Sequence, residues 1–189
     1  MVSCNSQQTP FAPCNISAEE GQSIRSPLIF LIFAATTFSS THAQKLFSYE
    51  QPDPHTIPLP AFIRTLLEHD PDVTDRLTNH EPALTTLPND WVLCYRISLG
   101  PAHETDYLIQ ANSQLAGANV TAFWVFRMIA DQPQQVLFTG GLALEIKPRR
   151  SNGLHEIETY AVTMQQTHTE TYRFNGTQYI HIGDYNHPH

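Results

Sequence analysis

The chain has 189 residues, with 18 acidic residues against 10 Lys and Arg and a net charge of −8 when histidine is neutral. A surface of that sign repels nucleic acid and anionic lipid, so neither is an expected partner. Twelve residues from Pro27 to Phe38 (PLIFLIFAATTF) are nearly all apolar, stand just after Arg25, and run into Ser39-Ser40-Thr41-His42-Ala43-Gln44. A charge, a short apolar core and small residues three and one before a break form an export signal cleaved after Ala43. The run falls short of the roughly 20 apolar residues a transmembrane helix needs, so release is expected and no membrane anchor remains.

Residues 1–43 thus read as an N-terminal extension plus signal peptide, the first 24 reflecting a start assigned too early. The mature chain from Gln44 onward holds 146 residues, nine basic and sixteen acidic, and a balance of −7. That is about one domain, enough to bury a core. Cys4 and Cys14 are lost with the leader, and the remaining Cys94 cannot pair internally and reads as a small buried apolar residue.

From Gln44 to Pro58 the prolines predict an extended arm, since each removes a donor and fixes φ. A single domain spans 59–189. Leu59, Phe62, Ile63, Leu66 and Leu67 recur at helical spacing, with Pro60 suited to the first turn and Asp70-Pro71 as the stop. A second short turn covers Val73 to Leu77. Beyond Asn89 the period becomes two: Trp91, Leu93, Tyr95, Ile97 and Leu99 predict a strand with one apolar face, paired with Tyr107 to Ala111 across Gly100-Pro101. Phe123 to Phe126 is apolar on both faces, as a central covered strand is.

Val136 to Phe138 and Leu142 to Ile146 flank a turn at Thr139-Gly140-Gly141, and Ser151-Asn152-Gly153 marks another before a long strand from Glu156 to Met164. Asn175-Gly176 predicts a type I′ hairpin, which places Tyr172 opposite Tyr179 and puts Tyr172, Phe174 and Tyr179 on one face. The expected fold is α+β, an N-terminal amphipathic helix packed on a mainly antiparallel β-meander of about six to eight strands.

The strings Phe123-Trp124-Val125-Phe126-Arg127, Thr139-Gly140-Gly141, Arg150 to Glu158 (RSNGLHEIE) and Tyr172 to Tyr179 (YRFNGTQY) resemble a group of small exported bacterial proteins of no established function. Those proteins end in a Tyr-Arg-Phe-Asp-Gly-x-x-Tyr hairpin. Many also carry an acidic turn similar to the calcium loops of FG-GAP repeats. Here Ser98 to His103, followed by Glu104-Thr105-Asp106, stands in its place without the loop carboxylates a hard cation needs, so no cofactor is expected.

Three groups of side chains are candidates for chemistry. His155, Glu156 and Glu158 offer paired carboxylates for general acid–base catalysis, or ion pairs with Lys147, Arg149 and Arg150. His181, Asp184, His187 and His189 have the composition of a metal site, or form a solvated tail. Trp91, Trp124, Tyr172 and Tyr179 form an aromatic binding face, or the core of the sheet. No Gly-x-Ser-x-Gly elbow or phosphate loop is present. The expectation is a periplasmic or secreted binding domain, of inhibitor or immunity type, whose partner is an envelope or secreted protein. The alternative is an envelope hydrolase using His155, Glu156 and Glu158.

Overall fold

A computed structural model describes residues 45–100, 105–117 and 120–188, which fold as a β-rich α+β domain with antiparallel sheets. The strands are β1 (Lys45–Ser48), β2 (Val92–Ile97), β3 (Asp106–Ala111), β4 (Thr121–Ile129), β5 (Gln132–Gly141), β6 (Ala143–Ser151), β7 (Leu154–Val162), β8 (Gln166–Phe174) and β9 (Tyr179–Pro188). They form a four-stranded sheet, β2-β3-β4-β5, and a five-stranded sheet, β1-β6-β7-β8-β9. The expected signal peptide, residues 101–104 of the turn compared with calcium loops, and His189 lie outside the described residues.

Two apolar clusters follow from the pleat. Alternate residues point to opposite faces, so Tyr95, Ile97, Phe123 and Val125 meet Phe47, Leu144, Ile157 and Phe174 of the five-stranded sheet in a core between the sheets. The other face of the four-stranded sheet presents Val92, Cys94, Trp124 and Phe126 to Ile63, Leu67, Val73 and Leu77. Those four come from two short helices, α1 (Ala61–Glu68) and α2 (Pro71–Thr78). The strand expected at Trp91 to Leu99 with one apolar face is thus covered on its second face too, where Val92 and Cys94 lie under the helices. Trp91 belongs to that helical cluster rather than to the alternation of β2.

His69 caps the end of α1, and Asp70 next to it starts α2: its side chain accepts from the N–H groups of Asp72 and Val73, with Pro71 in the first turn. Of the apolar residues expected to bury α1, only Ile63 and Leu67 are buried, while Phe62 and Leu66 stay near 40% exposed. A helix of two turns has room for one inward stripe.

Three expectations at the strand ends are corrected. The Pro-rich arm begins with β1, which pairs with β6 and buries Phe47 completely. Thr139-Gly140-Gly141 is not a turn, since β5 runs through it to Gly141 and the chain then changes sheets. A Cβ at Gly141 would stand 3.0 Å from the Tyr160 carbonyl oxygen and 3.2 Å from that of Ala143, so the crossing needs glycine. The tail from His181 onward is not frayed, since β9 pairs with β8 as far as Pro188.

The hairpin register is also corrected. Phe174 pairs with Tyr179 and Tyr172 with His181, around a four-residue loop. Asn175 explains the difference: its Oδ1 accepts from the N–H groups of Thr177 (2.9 Å) and Gln178 (3.0 Å), and so builds a longer loop than a type I′ turn. The three aromatic rings still share a face. The two-residue turn with positive φ occurs instead at Asn152 (48°) and Gly153 (83°), between the paired Ser151 and Leu154. Gly176 keeps φ at +112°. Gly153→Val and Gly176→Val should each cost about 1 kcal/mol, lowering the Tm by roughly 2 to 4 °C, while Gln178→Ala is silent. Thermal unfolding followed by circular dichroism checks this.

Candidate functional site

Strand alternation divides the expected His155, Glu156 and Glu158 cluster between two faces of the sheet. His155 is buried, its Nδ1 donating to the Lys147 carbonyl at 2.6 Å while Nε2 accepts from the Arg150 guanidinium at 3.0 Å. Both ring nitrogens are committed to one neutral tautomer, which leaves no lone pair for a general base. Glu156 is 4% exposed and its Oε1 takes Arg173 Nε at 2.7 Å and Arg149 Nε at 3.3 Å. Of the two readings of these residues, ion pairing is the one their contacts support.

Glu158 sits opposite Glu145 on β6, and the two carboxylates share the Lys147 ammonium at 3.0 and 3.1 Å. Both also accept from the Tyr160 hydroxyl, Glu158 at 2.8 Å. Burial raises the Tyr160 phenol well above its usual range, and the Glu145 carboxylate adds to the effect. Burial works against the Lys147 charge, but Glu158 and Glu145 outweigh it and hold the ammonium above its ordinary value. Lys147 and Arg149 alternate with Glu145 along β6 and so share this outer face, and the register shift between Ile146 and Arg150 leaves that alternation intact.

The aromatic candidates belong to the core. Trp91 is 4% exposed, Trp124 1% and Tyr179 6%. Trp124 Nε1 donates to Asp70 Oδ2 at 3.1 Å, and Tyr179 donates to the His155 carbonyl at 2.6 Å, so their polar atoms are satisfied inside the fold. Tyr172 is half-buried, its hydroxyl bonded to Thr139 Oγ1 at 2.8 Å and to Glu170. Cys94 is buried and its thiol is pushed up to about 12 by burial, the chemistry of an inert core residue.

The expected metal candidates separate. His181 and Asp184 come together on the inner face of the β8–β9 pair, with His181 Nε2 2.6 Å from Asp184 Oδ1. His187 pairs with Thr167 on the opposite face, and His189 lies outside the described residues. The structure adds two residues from β8: His168 Nε2 lies 3.6 Å from Glu170 Oε1 and 3.9 Å from Asp184 Oδ1. Sequence reasoning missed them because cross-strand neighbours are set by register, which places Glu170 opposite Asp184 and His168 opposite Asn186.

A second polar pair was also missed. Asp106, fully buried on β3, accepts from Arg127 Nε at 3.1 Å and from the Leu99 N–H at 2.9 Å, and Arg127 is 8% exposed. Burial raises the Asp106 carboxyl and lowers the Arg127 guanidinium, since both charged forms are taken out of water.

No protein-family model, curated protein or solved structure matches the chain. Among the described residues, no helix is long and apolar enough to cross a membrane. What the fold and its side chains define is a β-rich α+β domain with a tied-up charge network on one face and a histidine–carboxylate group on the β8–β9 hairpin.

Proposed function

We propose that the chain is an exported binding domain of inhibitor or immunity type, whose partner is a basic envelope or secreted protein added along strand β9. The observation that carries the reading is the state of that strand. β9 is the last of the five strands, ten residues long, with Ile180, Ile182 and Tyr185 exposed at 40%, 42% and 61%. It contains no Lys or Arg, and its only proline is the terminal Pro188. Edge strands are ordinarily guarded by charge, proline or short length, because a row of unpaired N–H and C=O groups templates another strand. A ten-residue edge with exposed Ile180, Ile182 and Tyr185, and with Asp184 as its one acidic residue, suits recognition by strand addition, with main-chain hydrogen bonds for affinity and side chains for selection.

The balance of −7 after Ala43 favours a basic partner and accelerates encounter with it. The signal-like segment supports a partner in the periplasm or outside the cell. The amphipathic helix on the antiparallel meander serves as the rigid scaffold, and the likeness to small exported bacterial proteins belongs to the same proposal. The hydrolase alternative finds no support in His155, Glu156 and Glu158, since the imidazole is held between Lys147 and Arg150 and each carboxylate is paired with a cationic neighbour.

The test begins with capture from an envelope extract on immobilised protein, followed by purification of what is retained. The expected outcome is a basic protein whose binding weakens with salt and falls at least tenfold for Ile182→Lys, a charge that guards the edge. Retention of the same proteins by wild type and Ile182→Lys, or of acidic proteins alone, would overturn the reading.

A further inference from the structure

We propose that His168, Glu170, Asp184 and His181 bind a divalent transition-metal ion of the zinc class on the inner face of the β8–β9 hairpin. The donor set is two imidazoles and two carboxylates, the nitrogen and oxygen ligands that zinc and its first-row neighbours accept. Its formal charge of −2 with neutral imidazoles matches a divalent ion.

The geometry points the same way. One ligand atom from each of His168, Glu170 and Asp184 lies within 4.8 Å of the other two. His168 Nε2 stands 3.6 Å from Glu170 Oε1 and 3.9 Å from Asp184 Oδ1, too far for hydrogen bonds. Ligands about 2.0 to 2.1 Å from a tetrahedral ion are separated by roughly 3.3 Å, so a small closing movement completes three corners. His181 Nε2, 2.6 Å from the same Asp184 oxygen, is placed to supply the fourth by moving outward.

Surrounding residues aim these ligands. His168 Nδ1 donates to Asn186 Oδ1 at 2.9 Å, which turns Nε2 and its lone pair toward the carboxylates. Tyr172 donates to Glu170 Oε2, leaving Oε1 for the ion, and its ring packs edge-on against His181 at 5.6 Å. Partners of this kind fix tautomer and orientation in metal sites. All four ligands sit on two directly paired strands rather than on loops, with Glu170 opposite Asp184 and Tyr172 opposite His181.

The experiment is calorimetric titration of the untagged, chelator-treated full chain with Zn(II), and visible spectroscopy with Co(II). One ion per chain at a micromolar dissociation constant or tighter is expected, with cobalt bands typical of a tetrahedral site. Asn186→Ala should weaken binding by about 10- to 100-fold through loss of orientation. The double variant His168→Ala/Asp184→Asn should lose it while keeping the wild-type circular dichroism spectrum, and His187→Ala should bind as wild type does. Absence of stoichiometric binding, retention in the folded double variant, loss on His187→Ala, or binding of Ca(II) with Zn(II) refused would each overturn the site. If the double variant does not fold, Asn186→Ala with unchanged affinity overturns it.

Discussion

Asp106→Ala is expected to lower the stability of the domain by about 3 to 5 kcal/mol, the range for removing one partner of a buried ion pair. The substitution deprives the Arg127 guanidinium of its carboxylate at 3.1 Å and leaves the Leu99 N–H, now bonded at 2.9 Å, without its acceptor. Arg127 reaches from β4 across the sheet interface, its guanidinium 5.6 Å from the centre of the Phe174 ring on β8. For a domain of this size the loss corresponds to a fall in Tm of roughly 10 °C. Burial works against both charges, so Asp106→Leu combined with Arg127→Met should recover most of the loss. Urea unfolding of wild type, Asp106→Leu, Arg127→Met and the double variant forms the cycle. Equal stability of Asp106→Ala and wild type would show that the pair contributes nothing.

Phe47→Ala should cost a comparable amount, about 3 to 5 kcal/mol, through lost burial and the cavity left behind. The ring is fully buried, 4.9 Å from Tyr95 across the two sheets, with the Lys45 ammonium 4.9 Å from its face. β1 is also tied to the opposite sheet by Gln110, whose Nε2 donates to the Ser48 carbonyl at 3.3 Å. Denaturant unfolding checks the value, and a cost below about 1 kcal/mol, the range of ordinary surface substitutions, would return residues 45–48 to the extended arm that their sequence suggests.

That contrast marks where sequence reading works and where it stops. Segments whose pattern repeats were legible: the covered strand at Phe123–Phe126, the pairing of residues 92–97 with 106–111, and the helix around Ile63 and Leu67 all rest on local period. β1 was not legible, because four residues hold one buried side chain and its partner strand is far away in sequence. The turn types failed for a chemical reason: Asn-Gly at 152–153 closes two residues, whereas Asn-Gly at 175–176 is captured by the Asn175 side chain. The candidate site was half legible. His181 and Asp184 stand out as histidine and carboxylate near the end of the chain, but His168 and Glu170 join them only through a register that has a shift between Thr171 and Tyr172. The charge of Asp106 carries no pattern at all, since an acidic residue in a strand reads as exposed until its arginine is found across the neighbouring strand.

Lys45 pairs with Ile146, roughly a hundred residues later in the chain, and the inter-sheet core also requires Phe174 and Tyr179. A growing polypeptide therefore cannot close this core until nearly all of it has left the ribosome. The helical cluster, built from residues between Ile57 and Met128, can assemble earlier, while the core between the sheets waits for β8 and β9.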